Sequence, residues 1–240
     1  MRFVLAEPSW YLLPAVLAGG GVLIAGVALA WWVGSTWRRR RSLQDLQGQL
    51  GLAPAELDGA RQERVRSMLE PFELPHNAQW HFLKLWQGDW PGMPGGRLEL
   101  LQMRGDPFNL PNRNPMDAEL PLTLLVLQRP SLQLPKFVVV PRNMVTKRMK
   151  AHEDTLMDFG DPFTHHNALI GPDRAALRRR FTLAVRNVLR RNTRYTIEGV
   201  EDRLLVYQFP QYLSAEQVED ALKIGSDLAA AMAPPGPEPG

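Results

Sequence analysis

The chain has 240 residues, 28 Lys and Arg against 25 Asp and Glu, and no cysteine. The length allows one domain with a substantial core plus shorter extras, and the missing cysteine excludes disulfides, thiolate zinc sites, iron–sulfur clusters and cysteine nucleophiles. The net charge of +3 would suit nucleic acid, but residues 1–41 hold the basic excess, and the remainder carries 23 basic and 24 acidic side chains.

Residues 1–9 are a short N-terminal segment, followed by an uncharged apolar run from Trp10 to Val33. As a helix, residues 10–33 would reach about 36 Å, enough to cross a hydrocarbon core of roughly 30 Å. Trp10 at one end and Trp31, Trp32 and Trp37 at the other have the amphipathic rings favoured at headgroup level. A cleaved signal peptide ending near Ala28-Leu29-Ala30 is the rival reading. The length of the run, a lone Arg2 offset by Glu7, and four arginines downstream favour a permanent anchor. Arg38, Arg39, Arg40 and Arg41 would stay on the cytoplasmic side and hold anionic headgroups. The expectation is a single-pass protein of the bacterial inner (plasma) membrane, N-terminus outside and soluble domain cytoplasmic.

Residues 34–57 read as a basic juxtamembrane segment and linker helix, with Leu43, Leu46 and Leu50 on one helical face. Residues 58–232 read as the soluble domain. It opens with an amphipathic helix over 58–70, N-capped by Asp58 and stopped by Pro71. Strands are expected at 79–90 and 97–103 around the turn PGMPGG, then at 122–128 and 136–140, with a Pro- and Asn-rich loop at 105–121. HHNALI (165–170) reads as a strand and 173–192 as one long helix. Residues 193–199 and 202–209 read as a hairpin. Ser214 and Gln217 form a capping box for a last helix that buries Val218, Ala221, Leu222, Gly225, Leu228 and Ala229. The tail 233–240 has too little apolar content to fold. Short connections and hairpins predict an α+β fold: an N-terminal transmembrane helix, then an antiparallel sheet with helices packed on one face.

LPKFVVVPR (134–142), DFGDPF with ALIGPDRAALRRRF (158–181) and YTIEGVEDRLLVYQFP (195–210) resemble a group of uncharacterised bacterial membrane proteins. Those have an N-terminal membrane helix followed by a soluble domain of unknown function. The resemblance covers residues 80–230 or so, implies an anchored α+β domain and transfers no catalytic residue.

Three groups of residues carry candidate chemistry. HEDTLMDFGDPFTHH places His152, Glu153, Asp154, Asp158, Asp161, His165 and His166 close together, ligand types for zinc, iron or manganese. The spacing matches neither the zincin helix, since Leu156 stands where the second histidine belongs, nor a calcium loop. A polar loop that caps its own turns is the plainer reading. On the helix 173–192, Leu177, Phe181, Ala184, Val185, Val188 and Leu189 share one arc. Arg179, Arg180, Arg186, Arg190, Arg191 and Arg194 gather on the other, with Leu183 among them. Such a face suits anionic lipid, an acidic partner or nucleic acid, or is a solvated face. Trp80, Trp86 and Trp90 form either a ligand platform or core aromatics. No GxSxG, Walker, dinucleotide-binding or kinase pattern occurs, and no cofactor is expected. The leading expectation is a non-enzymatic interaction or assembly module with a protein partner. A metal-dependent hydrolase at 152–166 and a nucleic-acid or anionic-lipid binder are the alternatives.

Overall fold

The computed structural model describes residues 43–73, 79–106, 119–142, 156–192 and 194–233. The chain divides into two units, Met1–Asp45 and Leu46–Gly240. The first lies outside the described residues apart from 43–45, and the fold below is that of the second.

A helix over residues 43–49 (α1) leads through Gly51, at φ 65°, to β1 (Ala53–Ala55). Pro54 lacks a donor, and a three-residue edge strand is where that costs least. α2 (Gly59–Leu69) starts on Asp58, whose carboxylate accepts the Arg61 N–H at 2.7 Å. β2 (Gln79–Asp89) and β3 (Arg97–Asp106) then form the expected hairpin. Its turn closes by Trp90 N–H donating to Gly96 O at 3.0 Å, with Gly92 and Gly95 at positive φ. β4 (Leu120–Gln128) and β5 (Leu134–Pro141) follow, then a two-residue β6 (Leu156–Met157), α3 (Pro162–His166) and β7 (Asn167–Ile170). α4 (Arg174–Arg180) and α5 (Leu183–Arg190) precede the hairpin of β8 (Thr196–Glu201) and β9 (Arg203–Tyr207), and α6 (Ala215–Met232) ends the chain of elements.

All strand pairs are antiparallel and form one sheet in the order β1-β2-β3-β4-β9-β8-β5-β7-β6. The late β8–β9 hairpin therefore inserts between β4 and β5. Strand alternation divides the side chains between two faces. On one, Leu101, Met103, Leu122, Leu124, Val126, Leu205 and Tyr207 meet Val65 and Leu69 of α2 and Phe72 just beyond it. On the other, a Cβ added at Gly225 of α6 would lie 2.2 Å from Leu127 and 3.6 Å from Val206. The bare glycine lets α6 ride close to the sheet. Phe137 of β5 meets Phe181 edge-on at 4.9 Å on this same side.

Helices thus cover both faces, which corrects the expectation of one. The reason is legible in β4, where residues 122–127 are all buried: a strand buried on both sides reads as a continuous apolar run rather than an alternating one. The long helix expected at 173–192 is also corrected. Phe181 leaves helical geometry at ψ 63° to pack on Phe137, and Thr182 caps a new helix by accepting the Val185 N–H. This break turns Ala184 outward to solvent instead of onto the buried arc. HHNALI is a helix end followed by a strand, because Asp161 caps α3 and Pro162 opens it.

The membrane-anchored architecture is corrected as well. Among the described residues no helix is long and apolar enough to cross a membrane. The longest, α6, carries Glu216, Glu219, Asp220, Lys223 and Asp227. The span expected at 10–33, with Trp10, Trp31, Trp32, Trp37 and Arg38 to Arg41, lies outside the described residues. The fold class is therefore a nine-stranded antiparallel sheet flanked by helices. An N-terminal transmembrane helix, and the inner-membrane location with a cytoplasmic domain that rested on it, have no support in this structure. β1 belongs to the sheet although it falls inside the expected linker 34–57.

Candidate functional site

The arginines expected to share one face are put to different uses. Arg186 is an internal latch. Its Nε donates to Asp161 Oδ2 at 2.6 Å and a terminal nitrogen donates to Phe181 O at 2.6 Å. Its guanidinium also lies 4.5 Å from the centroid of Phe159. Both partners of the ion pair are largely shielded, at 18% and 20% exposure. The latch ties the 158–161 loop to the start of α5. Arg180 donates to Leu132 O, binding α4 to the loop before β5. Arg179, Arg190, Arg191 and Arg194 are exposed, as is Arg178. Arg179 and Arg180 border a cleft of about 560 Å³ with Gln133, Pro135 and Asp173. Arg191 and Arg194 border another of about 390 Å³ with Tyr195, Asp220, Lys223 and Asp227.

Among the described residues the His/Asp cluster does not converge. His152, Glu153 and Asp154 lie outside the described residues. Asp161 is committed to capping α3 and to Arg186. Asp158 accepts the Gly160 N–H at 2.8 Å, and this bond is the main reason its carboxyl stays below the ordinary range. His165 and His166 are exposed at the end of α3. Among the described residues no three His, Asp or Glu side chains are grouped as a metal site would require.

The tryptophans do not share a platform. Trp80 packs at the margin of the cluster beneath α2, whereas Trp90 is buried and donates its indole N–H to Ser226 of α6 on the opposite side, at 2.9 Å. A bulge between Phe82 and Lys84 shifts the alternation between Trp80 and Trp86.

One buried group escapes sequence reasoning. Glu198, in β8, is 1% exposed. It accepts the Tyr207 O–H at 2.8 Å and the Glu73 backbone N–H at 2.5 Å. Lys136 pairs with the Glu73 carboxylate at 2.7 Å. Burial pushes the Glu198 carboxyl up to about 7, against the two hydrogen bonds that favour its charge. Burial likewise holds the Tyr207 hydroxyl well above its ordinary value. Neither cleft is lined by Glu198, so this is a tether for the chain leaving α2 and not an open acid. The signal available in the sequence is weak: a lone glutamate in an apolar strand.

Among the described residues the β2 edge of the sheet is only partly covered. β1 pairs only with Leu85, Trp86 and Gln87 of β2. Residues 79–84 have β3 on one side and, among the described residues, no strand on the other. Leu83 sits in the bulge and is 46% exposed.

No family model and no curated protein matches this chain. Among solved structures it is similar to the mycobacterial trehalose monomycolate transport factor A, TtfA. The TM-score is 0.53 and the identity 13%, over 82% of this chain and 97% of that one. At that identity the likeness is one of fold.

Proposed function

We propose that this chain is a non-catalytic interaction module in an accessory role to transport, and that it holds its partner through the β2 edge. One observation carries the reading: among the described residues, the stretch 79–84 of β2 runs past the end of the short β1 and pairs with β3 alone, beside the exposed Leu83. An extended segment of a partner protein adds to such an edge by main-chain hydrogen bonds, with side-chain contacts supplying specificity. The bulge and Lys84 restrict the addition to a short segment, which also protects the edge from indiscriminate pairing. The transport association is supported by the fold shared with TtfA over nearly the whole of that chain.

The test is photocrosslinking in the cells that make the protein. A photoreactive residue replaces Leu83 in the full chain, and another replaces Asp89, exposed at the far end of the same strand. The expected result is one defined adduct from position 83, identified as part of a transport system, and none from position 89. No adduct at 83, or equal adducts at both, would overturn the proposal.

A further inference from the structure

Residues 174–195 contain eight arginines and no acidic side chain. Arg180 and Arg186 are consumed by the internal bonds described above, and Arg174 reaches Leu156 O. Arg178, Arg179, Arg190, Arg191 and Arg194 are exposed, and among the described residues none of these five side chains forms an ion pair. Arginines at the last turns of α4 and α5 complement the helix carbonyl ends, which explains part of the pattern but not its uniform sign. Nor does it explain Leu183. This residue opens α5 and is 63% exposed, the most exposed large apolar side chain among the described residues. At helical spacing Leu183, Asn187, Arg190 and Arg191 share one outward arc.

The charge is not uniform around this surface. On the α6 side Asp220, Asp227 and Lys223 line a groove with Arg191 and Arg194. Away from α6, Arg178, Arg179, Arg190 and Leu183 are exposed, with Asp173 as the acidic side chain that shares a cleft with Arg179.

We infer that the outward face of α4–α5 is a peripheral docking surface for an anionic lipid bilayer, with the arginines on headgroup phosphates and Leu183 inserted among the acyl chains. The charge complementarity supplies the attraction, and a solvent-exposed leucine on an arginine-rich helix adds the apolar contact that interfacial binding uses. A nucleic acid would use the arginines but leave Leu183 without a purpose. No transmembrane segment is needed, and the surface is separate from the β2 edge.

The absence of cysteine makes the test clean. Asn187→Cys in the full chain is labelled with an environment-sensitive fluorophore, and Asp89→Cys serves as the control. The probe reports on its own position, so contact with lipid elsewhere on the chain leaves it unchanged. Mixed phosphatidylcholine–phosphatidylglycerol vesicles should shift the Asn187 probe to shorter wavelength and leave the control unchanged. Pure phosphatidylcholine should shift neither. Neutralising each arginine should lower vesicle affinity about fivefold, so Arg178→Gln, Arg179→Gln and Arg190→Gln together should raise the lipid concentration at half-maximal response on the order of a hundredfold. A probe that stays in water while the chain sediments with the vesicles would overturn the inference. So would an undiminished response in the triple variant. A change at Asn187 with duplex DNA and none with vesicles would reassign the surface to nucleic acid.

Discussion

Glu198→Gln should change how stability depends on pH, and the sign follows from burial. The carboxyl has an ordinary value of 4.5 and is raised to about 7 in the folded chain. Between those values the folded state holds a proton that the unfolded state has released, so this group's contribution falls as pH rises. It is complete below about 4.5, declines through the interval and is gone above about 7. At about 1.4 kcal/mol for each tenfold in proton affinity, the interval corresponds to roughly 3 kcal/mol. Glutamine stays neutral throughout but has one carbonyl oxygen, so it can accept from Tyr207 or from Glu73 and not both. The lost bond costs about 1–3 kcal/mol at every pH. The assay is urea unfolding of both proteins at a series of pH values across the interval. The wild-type advantage over the variant should shrink by roughly 3 kcal/mol from the acid end to the alkaline end. Because other titrating groups are common to both proteins, they cancel. Parallel pH profiles would refute the argument that a buried, proton-holding Glu198 tethers the chain after α2.

Further outcomes follow from packing and caps. Gly199→Ala should destabilise by about 1–3 kcal/mol in thermal unfolding, since its Cβ would stand 2.1 Å from the Phe137 ring, which Phe181 confines. Adding Phe137→Leu should recover part of that loss. Arg186→Ala strips Asp161 and the Phe181 carbonyl of their partner and should cost about 3 kcal/mol, whereas Arg190→Ala should stay within about 0.5 kcal/mol. Denaturant midpoints of the two variants measure the contrast directly. Ser214→Ala removes one half of a closed capping box and should lower stability by about 1 kcal/mol, read by the same unfolding curves.

How much of this was legible in the sequence depended on whether local signals sufficed. The β2–β3 hairpin announces itself through PGMPGG between two strand-like runs, and Gly92 and Gly95 of that turn adopt positive φ. The capping box at Ser214 and Gln217 and the buried stripe of α6 are fixed by spacing along one helix, and both stand as read. The break at Phe181 was not legible, because helical periodicity continues through it. Only the distant Phe137, on another strand, explains why residue 181 turns inward. The fate of Arg186 was hidden for the same reason. On a helical wheel it belongs to the charged face, yet Asp161 and Phe159 arrive from a loop earlier in the chain. Coverage of both sheet faces is written in the unbroken apolar run of β4, but the strand beside it, β9, comes from far along the chain and is not. Glu198 likewise acquires meaning only once β8 brings it against Tyr207 and the residues after α2.

The most direct test of the central claim is the crosslinking of position 83. A single defined adduct with a transport component, absent from position 89, is the predicted result. A chain that leaves Leu83 uncrosslinked in its own cells, while folding normally, would contradict the claim that the β2 edge is its working surface.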